Sequence, residues 1–272
     1  MNPKYPIFVP TKGRYKSLLT ITALDKIGVP YKAVVEPQEY DNYAEVVNPD
    51  NIITLPHTNK GLVVTRNWIW DYAEKLGTPY FWTFDDNIRD FHRLNNNIKA
   101  RVKDGTILTV IEDFTERYKN LAICGMQYEL FAPRKYKCEP YILNTRIYSN
   151  MLIKTDIPYR NRGFYNDDTD LCLQVLKDGW CTVLFMAFLA NKMPTMVVKG
   201  GMTPHYQDDG RLKMALELQR RWPQYVKVTR KWNRWQHQVD YRPFKNNRLI
   251  RDPDVKVKKG VNNYGMVLNS VE

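Results

Sequence analysis

Cysteine is scarce and dispersed in this 272-residue chain: Cys124, Cys138, Cys172 and Cys181 form no CxxC pair and have no pair of histidines nearby. That spacing speaks against a zinc site and against a disulfide framework, and predicts reduced thiols in or near the core. Long apolar runs are missing as well. None reaches the roughly 18 residues that a membrane span needs. The opening Met1-Asn2-Pro3-Lys4-Tyr5-Pro6 has no apolar region of the signal-peptide kind, so the expectation is a soluble, cytoplasmic protein without a membrane span. Internal repeats and low-complexity tracts are absent. Acidic residues run short in one place only. Between Arg211 and Lys259 there are 15 Lys/Arg against 4 Asp/Glu, an excess of +11, which is nearly all of the net +12. A basic excess confined to one segment predicts a partner with many negative charges.

A hydrophobic fraction of 43% and an aromatic fraction of 13% predict a globular chain, long enough for one large domain or one domain with an appendage. The most informative stretch is Pro79-Tyr80-Phe81-Trp82-Thr83-Phe84-Asp85-Asp86-Asn87. Its unbroken run of large apolar and β-favouring residues predicts a strand buried on both faces, and ligands of open α/β sheets collect at the carboxyl ends of such strands. Two adjacent carboxylates there repel each other unless a cation, a proton or a basic group intervenes, and hard divalent ions take carboxylate oxygens together with substrate phosphates. The alternative is a solvated Asp/Asn loop entry.

Around this strand the chain alternates strands and helices. Tyr5–Pro10, Tyr31–Pro37 and Asn51–Pro56 predict strands, with a helix carried by Leu18, Leu19, Ile21 and Leu24 up to Gly28. Such alternation implies right-handed crossovers and a mainly parallel sheet. Gly61 to Asn67 opens a helix with Arg66 in its first turns, where a cation calls for an anionic partner: a phosphate, a carboxylate, or simply Asp71 or Glu74 on the surface. Further helices and strands are predicted from Ile107 to Tyr118, Asn120 to Met126, Met151 to Ile153 and Thr182 to Leu189, with an irregular rim from Gln127 to Pro140.

Asn166-Asp167-Asp168-Thr169-Asp170 starts another helix that closes at Gly179. Asp167 or Asp168 could be its N-cap, yet three Asp in four residues exceed what capping needs. His205 follows Gly200-Gly201 and would be structural or exposed unless the acidic clusters supply co-ligands. Beyond a helix ended by Pro223, residues from Lys227 to Lys259 are basic and aromatic without a long apolar period.

Asp85/Asp86 after a central strand, Asp167/Asp168 at a later helix start and a distal His205 stand in an order that resembles the GT-A glycosyltransferases over roughly residues 5 to 206. Phe8-Val9-Pro10-Thr11-Lys12-Gly13-Arg14 is similar to that family's first strand and nucleotide loop. Gly61 to Asn67 is similar to its G-x-x-x-x-R-N helix entry, and Asn166 to Leu173 with Gly179-Trp180 to the E-D-x-D-L run of inverting members. Two departures stand out: Asp167 replaces the usual Glu, and Asp85-Asp86-Asn87 replaces a strict DxD. The resemblance implies an α/β, Rossmann-like, mainly parallel central sheet flanked by helices in residues 1–209, followed by a basic, helical or irregular extension in residues 210–272. It further implies Pro10, Thr11, Arg14, Glu36, Arg66 and Asp85 around a nucleotide sugar, expected to be a UDP-sugar. Asp85, Asp86, Asn87 and His205 would hold Mn²⁺ or Mg²⁺. Asp168, or alternatively Asp167, would be the general base of a single inverting displacement.

The whole chain also resembles the phage TET-associated glycosyltransferases, which implies DNA carrying hydroxymethylated bases as acceptor and the cytoplasm of an infected bacterial host as location. Arg230, Lys231, Trp232, Arg234, Trp235 and Arg248 would then contact phosphates and stack on bases. Two alternatives stand beside this. One is a cytoplasmic glycosyltransferase acting on polysaccharide, lipid-linked or protein acceptors. The other is a nucleic-acid-binding protein without activity, its acidic turns being only caps.

Overall fold

The computed structural model describes residues 1–132, 138–194 and 209–255. The first half follows the predicted alternation: β1 (Ile7–Pro10), α1 (Leu19–Lys26), β2 (Lys32–Val35), α2 (Tyr40–Ala44), β3 (Ile52–Thr54), α3 (Leu62–Lys75) and β4 (Tyr80–Phe84). Then come β5 (Ile88–Asn95), β6 (Ile98–Arg101), α4 (Thr106–Thr115), β7 (Leu121–Tyr128), β8 (Tyr141–Leu143), β9 (Asn150–Lys154), α5 (Asp167–Lys177) and β10 (Cys181–Lys192). The last elements are α6 (Gly210–Arg221), β11 (Val226–Lys231) and β12 (Arg234–Val239).

Ten strands form one sheet in the order β3-β2-β1-β4-β9-β7-β10-β5-β6, with β8 against β10. β1 to β4 pair in parallel, and β7 pairs in parallel with β10. β9 runs antiparallel between β4 and β7, and β5 antiparallel beside β10. Most strands therefore point one way, as the alternation of elements predicted, and their carboxyl ends share one edge of the sheet.

β4 is buried along its whole length because helices cover both faces of the sheet. Tyr80, Trp82 and Phe84 point into a core shared with α1 and α4, while Phe81 points into a second core shared with α3 and α5. Buried indoles keep their hydrogen bonds: Trp82 donates to Glu112 Oε1 (2.8 Å) and Trp70 to the Thr155 carbonyl (2.9 Å). Cys124, Cys172 and Cys181 are free and buried, as predicted, whereas Cys138 is free and exposed.

Two hairpins escaped the periodicity. β5 and β6 are joined by Asn96 and Asn97 at φ of 46° and 68°, and β11 and β12 by Trp232 and Asn233 at 49° and 58°. Two consecutive positive φ angles are the signature of the tight turn that matches strand twist, which Asn adopts readily and Trp does not. Residues from Lys227 onward thus include a regular hairpin where the composition predicted an irregular segment. Its strands are two-sided and largely exposed, so no apolar run marks them. α6 packs on this hairpin, and Leu218, Trp222, Val226 and Phe244 enter the second core. Among the described residues no helix is long and apolar enough to cross a membrane.

Candidate active site

The shared sheet edge gathers the sequence-predicted residues. Pro10 ends β1, Glu36 follows β2, and Asp85, Asp86 and Asn87 follow β4. Gly61, at φ 88°, turns the chain into α3 and sets Arg66 in its second turn. Asp167 and Asp168 begin α5, where the left-handed Asn166 occupies the cap position without a side-chain cap bond. Neither Asp is the cap. Asn166 instead donates its amide to the Met214 carbonyl (2.9 Å).

Arg66 links the two acidic clusters. Its guanidinium donates to Asp85 Oδ1 (2.8 Å) and to Asp167 Oδ2, and all three side chains are largely buried. Burial works against the Arg66 charge, but Asp167, Asp85 and Asp168 outweigh it and hold the group firmly protonated. Asp71 and Glu74, the surface alternatives, pair with Arg160 instead.

Asp85 has further partners that the sequence did not flag. Its Oδ2 accepts from Lys192 Nζ (2.8 Å) and from Ser149 Oγ (2.6 Å), and the Ser149 hydroxyl is also 2.6 Å from Tyr128 Oη. Burial would raise the Asp85 pKa, yet Lys192 and Arg66 drive it far below the usual carboxylate range. The same pairing overcomes burial at Lys192 and raises its pKa. Ser149 immediately precedes the antiparallel β9 and Lys192 ends β10, so both reach this edge through strand direction. The one available signal for Lys192 was its place after an apolar run that ended too early at Leu189.

Asp86 turns the other way. It accepts from Arg14 Nη1 and, at 2.9 Å, from Thr11 Oγ1, itself 2.8 Å from Tyr43 Oη. Burial pushes Asp86 up, with Arg14 opposing. Glu36 accepts from Lys12 Nζ (2.7 Å) and from the Asn59 backbone N–H (3.0 Å); these bonds and Gln38 offset its burial and lower its pKa.

These donors do not fit a hard divalent ion as they stand. Every oxygen of Asp85 and Asp86 accepts from a protein donor, three of those donors cationic, and the described residues hold no group of three His, Cys, Asp or Glu suited to a metal. Asn87 Oδ1 is a buried oxygen without a partner among the described residues. His205 lies outside them.

Asp168 contrasts with its neighbour. It accepts from the Thr169 N–H (2.6 Å) and pairs with no cation among the described residues. Burial first, then Asp167, push its pKa up to about 6. The third carboxylate, Asp170, is fully buried and accepts from Trp222 Nε1 (2.7 Å), Arg162 Nε (2.8 Å) and Gln174 Nε2 (2.9 Å), a structural role.

Of the basic-segment residues, Arg230, Lys231, Trp232 and Arg234 crowd the tip of the β11–β12 hairpin with Trp235 beside them. Trp232 is 80% exposed, with Lys231 Nζ 4.7 Å from its ring centre, and Arg230 lies 5.8 Å from that of Trp235. Arg248 is set apart. Its carbonyl accepts from Asn120, which precedes β7 at the sheet edge opposite the site.

A family model described as TET-Associated Glycosyltransferase matches residues 5–201. That span holds every residue of the acidic edge and stops short of α6 and the hairpin. No curated protein matches the chain. A solved structure of mannose-6-phosphate isomerase from Helicobacter pylori shares 7% identity over 92% of this chain and 94% of that one, at a TM-score of 0.29, too distant to bear on the fold.

Proposed function

The chain belongs to the TET-associated glycosyltransferase family, and from that membership we propose that it transfers a sugar from a nucleotide sugar, UDP-linked, to the hydroxyl of a 5-hydroxymethylpyrimidine in DNA, with inversion. The observation that carries this reading is the Arg66 bridge between Asp85 and Asp167, which sets a cation-rich strand end beside a carboxylate of raised pKa.

In this proposal the acceptor oxygen bonds to the anomeric carbon as the bond from that carbon to the phosphate oxygen breaks. The electron pair leaves with the nucleoside diphosphate, and the hydroxyl proton passes to Asp168. A carboxyl group with a pKa near 6 is ionised at neutral pH and basic enough to take that proton. Asp167 is committed to Arg66, which favours Asp168 as the base. Thr11, Arg14 and Glu36 would line the nucleotide. Lys192, Arg66 and Arg14 would balance the growing charge of the diphosphate, as fixed protein cations do in a partly dry site. Mn²⁺ or Mg²⁺ bound at Asp85 and Asp86 is the competing form of the proposal, and it requires Lys192 to give up Asp85.

The test is acceptor competition with UDP-sugars, offering hydroxymethylcytosine-containing DNA against unmodified DNA and against hydroxyl-bearing glycans. Transfer confined to the hydroxymethylated DNA is expected. Efficient transfer to a glycan with none to that DNA overturns the acceptor assignment and leaves a glycosyltransferase of another kind.

A further inference from the structure

Beside the acidic edge lies a cavity of about 210 Å³ that none of the roles above uses. Met126 and Leu184 give it an apolar floor. Tyr128, Phe131 and Tyr148 give it ring walls, and Gln127, Thr145 and Arg146 add polar groups. The rings form a continuous aromatic surface: Tyr128 stacks on Phe131 at 5.9 Å and lies 6.0 Å from Tyr148. Phe131 is 56% exposed, so the aromatic wall reaches the surface.

Two walls belong also to the site. Tyr128 Oη contacts the Ser149 hydroxyl and Lys192 Nζ, both of which hold Asp85, and Tyr148 is close enough to Asp168 and Thr169 to feel both. Whatever fills the cavity therefore shares walls with the surroundings of Asp85 and of Asp168. Arg146 marks the mouth. It is exposed, its guanidinium sits 5.0 Å over the Tyr148 ring, and it pairs with no carboxylate among the described residues. Its charge also acts on His237, which brings one strand of the basic hairpin near Arg146.

An apolar floor, stacking faces, an amide, a hydroxyl and a rim cation without an ion-pair partner among the described residues match a single planar heterocycle attached to a phosphodiester. We propose that this cavity receives the acceptor pyrimidine turned out of the base stack, its ring against Tyr128 and Tyr148 and its flanking phosphate on Arg146. The proposal rests on DNA being the acceptor. It adds where the base is held and why an unstacked base is required, since a stacked base cannot enter a recess of this size.

The experiment compares the wild type with Arg146→Ala, Phe131→Ala and Leu184→Trp, using a single-stranded oligonucleotide with one 5-hydroxymethylcytosine and reading transfer beside hydrolysis of the UDP-sugar by water. Loss of the Phe131 ring that backs Tyr128, or of the Arg146 phosphate contact, should raise the oligonucleotide concentration for half-maximal transfer about tenfold. Leu184→Trp, which fills the recess, should reduce DNA transfer far more than donor hydrolysis. If Leu184→Trp does not fold, the two exposed variants carry the test. Wild-type transfer curves in Arg146→Ala and Phe131→Ala overturn the cavity assignment while leaving DNA as acceptor. A wild-type enzyme that ignores the oligonucleotide but glycosylates a glycan overturns both.

Discussion

Asp85 and Asp168 are carboxylates at one sheet edge whose surroundings drive them apart. Lys192 and Arg66 hold Asp85 ionised, while burial and Asp167 hold Asp168 near a pKa of about 6. Transfer should rise with pH up to about 6 and level off above it, and Asp168→Asn should lower it about 100-fold without weakening nucleotide-sugar binding. The same shift has a stability consequence. A carboxyl group whose folded pKa exceeds its unfolded value near 4 stabilises the fold most below that value, and the benefit is lost as pH rises to about 6. Asp168→Asn should therefore raise the melting temperature at pH 8 and leave it nearly unchanged at pH 4. A lowered melting temperature at pH 8 would point to a structural carboxylate. Lys192 makes the second prediction at this scale. With its ammonium already on Asp85, wild-type transfer should persist in excess chelator, and Lys192→Met should reduce it about 100-fold. Abolition by chelator with recovery on adding Mn²⁺ would instead favour the metal-bound form of the site.

The β11–β12 hairpin is the element that carries the claim about DNA. Four of its residues, Arg230, Lys231, Trp232 and Arg234, project from a turn that forces Trp232 to φ 49°, a conformation an L side chain adopts at a cost of about 1–2 kcal/mol. Trp232→Gly should relieve that strain and raise the melting temperature while weakening DNA binding, a combination that a packing role for Trp232 cannot give. Charge reversal at Arg230, Lys231 and Arg234 should raise the DNA concentration needed for transfer and flatten its salt dependence. Arg248→Glu, at the far edge of the sheet, should have a much smaller effect. Equal salt slopes for the two sets would mean that DNA does not lie along the hairpin.

At the scale of the molecule, residues 210–255 do not hang free. Trp222 donates to the buried Asp170, Asn247 donates to the Leu176 and Trp180 carbonyls (2.8 Å each), and Asn144 donates to the Phe244 carbonyl (3.0 Å). Phe244 and Trp222 also fill the core under α5. Trp222→Ala should cost about 3–5 kcal/mol and lower donor hydrolysis and DNA transfer together, in contrast with the hairpin variants. A chain ended at residue 209 should show a clearly lowered melting temperature; an unchanged one would mean that the extension is an independent appendage.

Burial patterns let the sequence alone determine the sheet strands β1 to β4, β7, β9 and β10, the helices α1, α3, α4 and α5 but not the short α2, and the two acidic clusters, because a covered strand is rich in apolar residues and a strand end must turn polar. Asp85 was legible for that reason, and Asp168 because three Asp at a helix start exceed what capping needs. The hairpins were not: Ile88-Arg89-Asp90-Phe91-His92 and Val226-Lys227-Val228-Thr229-Arg230 carry mixed faces, and their pairing rests on turn geometry at Asn96-Asn97 and Trp232-Asn233. Only the tertiary structure decided which cation meets which carboxylate. Lys192 lies more than a hundred residues from Asp85 and Arg66 a similar distance from Asp167; Lys192 meets Asp85 because β10 ends at the edge where β4 ends, and Arg66 meets Asp167 because α3 and α5 both start there. Spacing along a chain records local periodicity. Ion pairs across a sheet depend on strand order and direction, and these are set by how the two cores close.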